Sequence, residues 1–247
     1  MGDLVIPKRG ELIAIEDAGK VLKELVPAEE MFDGEQIAFP VIEIMHAGNL
    51  FKFPDETTAP TFEGVVLFTQ KMNVYWQDPP GSEGDRLPPD CASDDGITPN
   101  SSITQPMAKV CKGCPYNQFG SRKDGGDGKA CRNLRRLLIV REGHPIPYRM
   151  ALSPSSLGAW NKYLTHLASL GIRHQAIVLT EFGLERKTRG SQQWSVCTLK
   201  PVAGLPLETA RQMRDLSKSM GAHLAEAPIS TEEYSEGENN EDDGVPF

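Results

Sequence analysis

The segment from residue 77 to residue 130 constrains the fold of this 247-residue chain more than any other feature. It is rich in Pro, Gly, Asp and Ser, and it lacks the apolar periodicity of a helix or a strand. A connection of this length without secondary structure is unusual in a compact domain. Because few apolar side chains are available to order it, another kind of interaction is expected to hold it.

Four of the five cysteines fall in or beside this segment. Cys111 and Cys114 form a C-x-x-C knuckle, a spacing that lets two thiolates reach one metal ion, and Cys91 and Cys131 flank it. Four thiolates make a closed tetrahedral zinc site, and closed sites are structural. The sequence therefore predicts one structural Zn²⁺, held by these four cysteines, that orders residues 88–131.

Other uses of these cysteines stay open. An iron–sulfur cluster also takes four cysteines, and a C-x-x-C pair can be a redox couple. A thioredoxin-type motif would open a helix after a strand, which this knuckle does not do, and disulfides are disfavoured in a reducing compartment. The cysteines can also hold no metal at all. Cys197 alternates with apolar residues in a predicted strand and is assigned to the core.

The flanking sequence is rich in β-branched and aromatic residues. Strands are predicted over 61–76 and 133–142, and two more within 173–202, while helices are predicted over 153–171 and 205–223. The expected fold is mainly β with added helices (α+β), a small β-barrel that carries the long cysteine-containing segment as an insertion between strands.

The net charge of −8 conceals an uneven distribution. Residues 228–247 hold seven acidic side chains and no basic one, and almost nothing apolar, so they are expected to be disordered. Residues 109–149 hold ten basic and three acidic side chains, a net charge of +7. A basic patch beside an acidic tail indicates an anionic partner more clearly than the total charge does.

Aromatic residues are interleaved with these cations. This pattern suits single-stranded nucleic acid, because bases stack on rings while cations follow the phosphates. The candidate aromatics are Tyr116 and Phe119, directly after the knuckle, and Tyr75, Trp76 and Trp194. The candidate cations are Lys112, Arg122, Lys123, Lys129, Arg132, Arg135 and Arg136, with Lys187 and Arg189 in a predicted basic loop over 187–193. For each aromatic, packing in the core is the competing interpretation.

No catalytic motif is found in the sequence. GSRKDGGDGKA (120–130) lacks the first Gly and the hydroxyl residue of a Walker A loop, and neither HExxH nor GxSxG occurs. No apolar run is long enough to span a bilayer, and the first residues lack the apolar stretch of a signal peptide. The expected protein is therefore not an enzyme and is cytoplasmic.

The chain ends in EDDGVPF, with Asp242, Asp243, Val245, Pro246 and Phe247 at its tip. This ending resembles the C-terminal tip of bacterial-type single-stranded DNA-binding proteins, an acidic run followed by Ile-Pro-Phe, with Val245 in place of Ile. The resemblance implies that the tip recruits replication, repair or recombination proteins. In that family the terminal carboxylate and Phe ring enter a basic, apolar pocket on the partner.

The body differs from the housekeeping members of that family, which have a shorter OB-fold and no cysteine insertion. CKGCPYNQFGS (111–121), GKAC (128–131) and LRRLLIV (134–140) look like zinc-containing proteins of phages and mobile elements. This likeness implies an elaborated OB-like β-barrel over 1–226 and a disordered tail over 227–247. The expected function is single-stranded DNA binding in phage or mobile-element replication or recombination.

Two alternatives remain. One is a zinc-containing adaptor or transcription factor on duplex DNA, although no recognition helix follows the knuckle at finger spacing. The other is a nuclease or recombinase subunit whose catalytic residues the sequence does not reveal.

Overall fold

The computed structural model describes residues 39–77, 88–123, 125–144, 146–190 and 192–226. All of them belong to one compact unit that begins at Phe39. Its strands are β1 (Glu43–Met45), β2 (Leu50–Lys52), β3 (Thr58–Ala59), β4 (Thr61–Tyr75), β5 (Cys91–Ser93), β6 (Arg132–Val140), β7 (Tyr148–Leu152), β8 (Val178–Arg189) and β9 (Gln192–Gly204). Its α-helices are α1 (Leu157–Ser169) and α2 (Leu207–Glu226). The prediction of a mainly β fold with additional helices is confirmed. None of the described helices combines the length and apolar character needed to cross a bilayer.

The long strand β4 organises the main sheet. The sheet runs β7-β6-β4-β8-β9 with every pair antiparallel, and β5 adds to the end of β4. Thr61–Gly64 pairs with β8 and Val65–Val74 pairs with β6. Gly64 lies at the changeover, where a Cβ atom would come within 2.6 Å of Ile139 Cγ2 and 2.9 Å of the Val140 oxygen. Only glycine fits there without a shift of the neighbouring strand.

The two end strands of this sheet, β7 and β9, are not joined by a hydrogen-bonded ladder among the described residues. Side chains cap the outer edge of β9 instead. The Cys197 amide donates to Ser156 Oγ at 2.9 Å, and the Ser195 amide donates to His46 Nδ1 at 3.1 Å. Ser156 lies in the segment between β7 and α1. Its hydrogen bond to Cys197 therefore places the edge of β9 beside the segment that follows β7, and the sheet is curled.

The largest apolar core lies between the sheet and α1. Helix α1 contributes Trp160, Tyr163 and Leu167, which recur at helical spacing and face sheet residues such as Leu137 and Phe182. Burying an aromatic or Leu side chain stabilises the fold by about 1.5–3 kcal/mol. The apolar side of this helix therefore packs against one face of the sheet and stabilises it.

Two smaller clusters extend this core. Met213 and Leu216 of α2 lie against Val65 and Leu67, and Ser217 Oγ donates to the Leu67 carbonyl at 2.7 Å. The other cluster joins the far end of the sheet to the cysteine-containing segment, and consists of Met72, Val74, Trp76, Ala92, Leu134 and the partly buried Ile103.

Two local predictions need correction. The predicted loop 187–193 is mostly strand, because Lys187 pairs with Trp194 and Thr188 with Gln193 in the β8–β9 ladder. Its polar residues lie on a projecting ribbon, where they resemble a loop in sequence. Helix α1 begins at Leu157, later than predicted, since residues 154–156 form a 3₁₀ turn in which Ser153 Oγ lies 3.2 Å from Ser156 Oγ.

A four-cysteine cluster beside a candidate nucleic-acid interface

Strand pairing brings the first and last cysteines of the cluster together. Cys91 opens β5 and pairs with Tyr75, while Cys131 directly precedes β6, whose Arg132 pairs with Val74. Because β5 and β6 flank the same end of β4, cysteines separated widely in sequence meet at one end of the sheet. We call residues 88–131 the cysteine module.

The C-x-x-C knuckle is placed by backbone hydrogen bonds. Cys111–Gly113 forms a 3₁₀ turn, with the Cys114 amide donating to the Cys111 carbonyl at 3.2 Å. The Cys111 amide donates to the Ile97 carbonyl at 2.8 Å. The Cys131 amide donates to the Tyr116 carbonyl, also at 2.8 Å. These bonds hold the knuckle against both flanking cysteines.

All four predicted ligands, Cys91, Cys111, Cys114 and Cys131, line one small cavity of about 20 Å³. That volume suits a single water-sized particle. Each of these cysteines is a free thiol, and the last three are buried. The four thiols that the sequence spacing predicts to share one metal ion therefore lie around the same cavity.

The electrostatics of the cavity oppose ionised thiols. Burial, and after it the adjacent Cys114, Cys111 and Cys91, raise the pKa of Cys131 to about 12, although Lys129 acts in the opposite direction. Burial also raises the pKa of Cys91, and its bond from the Met107 amide offsets only part of that rise. A bound cation would reverse this repulsion, because it stabilises the thiolate form of its ligands.

The donor set suits zinc in type and number, since Zn²⁺ takes four thiolates in structural sites. Among the described residues, however, no three His, Cys, Asp or Glu side chains are arranged as a formed metal site. Zinc at this cluster therefore stays a prediction.

An exposed aromatic ring and a cation lie beside the cluster. The Phe119 ring is 52% exposed, and Lys129 Nζ lies 4.9 Å from its centroid. Cation–π contacts of this kind occur within about 6 Å. Tyr116 is instead half-buried and stacks on buried Tyr75. Of these predicted aromatics, Phe119 presents its ring to solvent.

Three asparagines that the sequence analysis missed fix Lys129 in place. Lys129 Nζ donates to Asn133 Oδ1 at 3.0 Å and to Asn117 Oδ1 at 3.3 Å. Asn133 Nδ2 in turn donates to Asn73 Oδ1 at 2.6 Å. A usable sequence signal existed, because Asn73 interrupts an apolar strand, and a buried polar side chain there requires a hydrogen-bond partner.

The other predicted cations are spread around the module. Lys112 and Lys123 are exposed, and Lys123 Nζ donates to the Gln77 carbonyl. The half-buried Arg122 lies against Gly128, where a Cβ atom would come within 2.7 Å of its Cδ. The absence of a side chain at Gly128 therefore leaves the space that the Arg122 side chain occupies.

Arg132 lies near His46, and Lys187 lies on the β8–β9 ribbon. Burial lowers the pKa of His46, and the nearby charge of Arg132 lowers it further. Since His46 caps Ser195, the start of β6 lies close to the β8–β9 ribbon. Lys187 is exposed on that ribbon and forms an ion pair with Glu185.

Four predicted contact residues are not available at the surface. Arg136 is fully buried and donates to Gln70 Oε1 at 3.2 Å. The side chains of Tyr75, Trp76 and Trp194 are also buried, at 3%, 8% and 7% exposure. None of these four side chains is therefore open to a nucleic acid at the surface, and the competing interpretation as core residues holds for the three aromatics.

Some predicted residues lie outside the described part of the structure. They are the side chain of Arg189 and the tip residues Asp242, Asp243, Val245, Pro246 and Phe247, together with the rest of 227–247. The strand that the residue pattern predicts over 10–15 and the helical turns that it predicts over 16–27 also lie outside the described residues.

No family model, curated protein or solved structure matches this chain. The kind of protein is therefore defined by its fold and by the residues of its candidate site. It is a mainly β protein in which a connection between paired strands carries four clustered thiols. Beside them lies an exposed aromatic ring with a cation above it.

Proposed function

We propose that this protein binds single-stranded DNA without catalysing a reaction, in the replication or recombination of a phage or mobile element. The observation that carries the proposal is the exposed Phe119 ring under Lys129, anchored beside the four-cysteine cluster. A base can stack on this ring, and base–aromatic stacking contributes about 1–3 kcal/mol. Lys129 and the exposed Lys112 can meet the phosphates on either side.

The cysteine module gives this surface its rigidity. A Zn²⁺ bound by Cys91, Cys111, Cys114 and Cys131 would act as a structural cross-link, with no open coordination position for chemistry. The Asn73–Asn133–Lys129 hydrogen bonds tie the same surface to β4 and β6. A preorganised surface loses less conformational entropy when a flexible strand binds to it.

The architecture is compatible with this role. We interpret the curled sheet, with β9 capped by His46 and Ser156, as an elaborated OB-like barrel. Barrels of this type are common hosts for oligonucleotides. The acidic residues 227–247 would form a disordered tail whose tip recruits replication, repair or recombination proteins, and the protein would act in the cytoplasm.

Binding of a single-stranded oligonucleotide and its duplex, each titrated over a salt series, tests the proposal. We expect the single strand to bind more tightly, with little sequence preference and a steep loss of affinity as salt rises. Phe119→Ala should weaken binding by about 1–3 kcal/mol. Leu207→Ala, at another exposed apolar side chain that begins α2, is the matched control and should leave affinity unchanged.

Two results would overturn this function. Equal affinity for duplex at every salt concentration would favour the adaptor or transcription-factor alternative. Degradation of the oligonucleotide that depends on a divalent metal would favour the nuclease alternative.

A further inference from the structure

Two cations face each other across neighbouring strands. Lys71 of β4 pairs directly with Arg135 of β6 in the antiparallel register. Like charges directly opposite each other on adjacent strands destabilise a sheet. This pair therefore works against folding unless another group compensates it.

The protein supplies no such group among its described residues. Arg135 is half-buried, and its Nε atom is buried without a hydrogen-bond partner. Neither Arg135 nor Lys71 forms an ion pair or side-chain hydrogen bond with a described residue. On the other side of Arg135, β7 offers the apolar Leu152. A partly buried guanidinium without a counter-ion is costly, because burial disfavours its charge.

The acidic turn beside Lys71 does not neutralise the pair, because its Asp95 carboxylate is already hydrogen-bonded within the turn. Gly96 lies against the stem of Lys71, where a Cβ atom would come within 3.0 Å of Lys71 Cβ. In that turn Asp95 accepts hydrogen bonds from the Ile97 and Thr98 amides and from the Ser93 hydroxyl. Asp95 thus satisfies its own turn and makes no ion pair with Lys71.

The Lys71–Arg135 pair lies next to the surface formed by Phe119 and Lys129. Asn133, two residues before Arg135 on β6, lies on the same strand face and holds Lys129 Nζ at 3.0 Å. A step of two residues along a strand is about 6.7 Å. Lys129 and the Lys71–Arg135 pair therefore follow one another along the same face of β4 and β6.

We propose that Lys71 and Arg135 form a phosphodiester-binding subsite, which rests on the proposed single-stranded DNA function and adds a defined point on the path of the strand. An anionic phosphate between the two side chains removes their repulsion. The Arg135 guanidinium can donate two parallel hydrogen bonds to it, while Lys71 contributes a point charge.

Charge reversal at Lys71 separates ligand binding from folding. Lys71→Glu places a carboxylate opposite Arg135, so the free protein should melt at a higher temperature while affinity for a single-stranded oligonucleotide falls at least tenfold. Lys71→Ala should weaken binding by about tenfold at low salt and reduce the slope of log K against log salt by about 0.7, the value for one phosphate on a single strand. Lys162→Ala, at an exposed position on α1, makes the same charge change away from this face and is the control.

The outcomes distinguish the subsite from the wider function. If the wild type binds the oligonucleotide and Lys71→Glu binds equally well, the subsite is overturned and the function stands. If Lys71→Glu does not fold, Lys71→Ala decides, and an affinity equal to that of Lys162→Ala overturns the subsite. A wild type that binds no oligonucleotide at low salt overturns the function and the subsite together.

Discussion

The ring of Tyr116 in the cysteine module stacks on the ring of Tyr75 in β4, with centroids 4.4 Å apart and planes inclined by 27°. Tyr75 is buried and also lines the four-cysteine cavity, so the stack joins the module to the sheet at the cluster itself. The Tyr116 carbonyl accepts the Cys131 amide. Through these contacts Tyr116 determines where the following residues, including Phe119, lie.

Removing the Tyr116 ring should loosen the module. We expect Tyr116→Ala to lower the free energy of unfolding by about 2 kcal/mol, because it removes a half-buried aromatic pair. Amide hydrogen exchange at Cys131 should become faster. Tyr116→Phe keeps the stacked ring and is the control, so equal effects of the two substitutions on exchange would contradict this role of the stack.

The cluster is expected to bind one zinc ion per chain. Elemental analysis of protein purified without chelator should find one equivalent of zinc, and Cys114→Ser should lose it and loosen residues 88–131 while most of the sheet stays folded. Cys197→Ala changes a thiol buried in the main core and should retain the metal. A metal-free wild type with full structure and unchanged DNA binding would reject the site.

The contact between His46 and the outer edge of β9 should weaken on acidification. The Ser195 amide donates to His46 Nδ1, and both burial and Arg132 lower the pKa of His46 below its usual value near 6.5. Above that pH the imidazole is neutral in the folded and unfolded states alike. As the pH falls below it, the unfolded state takes up the proton first, so the free energy of unfolding decreases.

The melting temperature and the rate of Ser195 amide hydrogen exchange, each measured between pH 8 and pH 5, check the predicted loss of stability at low pH. His46→Gln keeps an acceptor for the amide and does not titrate, so it should lose part of the pH dependence of stability. A His46→Gln variant whose melting temperature falls with pH as steeply as the wild type would count against the prediction.

The chain end should act as a docking tip. Removing Val245, Pro246 and Phe247 retains all seven acidic side chains of 228–247. On the docking hypothesis this truncation abolishes capture of partner proteins from a replication or recombination system and leaves DNA binding intact. Deleting all of 228–247 should instead tighten DNA binding at low salt, because a competing anionic segment is gone. Retention of every partner by the short truncation would refute the docking role.

Local patterns in the sequence predicted much of the scaffold. The strands at 61–75 and 132–140 and the helices at 157–169 and 207–226 lie where periodicity placed them, within a few residues at each end. Side-chain repeats of two and 3.6 residues are properties of neighbouring positions, so they can be read from sequence. The grouping of four cysteines followed from their spacing and from the scarcity of apolar side chains in that segment.

Which face of each strand is buried and which is exposed could not be predicted from local patterns. Arg135 and Arg136 are adjacent and chemically identical, yet the first is half-buried opposite Lys71 and the second is fully buried against Gln70. A shift of one residue in the register would exchange their positions. Register depends on the partner strand, which is separated from them by the whole cysteine module.

By itself, the sequence determined the mainly β composition, the positions of the principal strands and helices, the cysteine spacing and the opposite net charges of residues 109–149 and 228–247. These depend on residue type and local order alone. Only the tertiary structure decided that the four thiols line one cavity, that Phe119 is the exposed ring, and that Lys71 faces Arg135. Each of these depends on which surfaces strand pairing brings together, since pairing joins residues that are distant in sequence and buries one face of each strand.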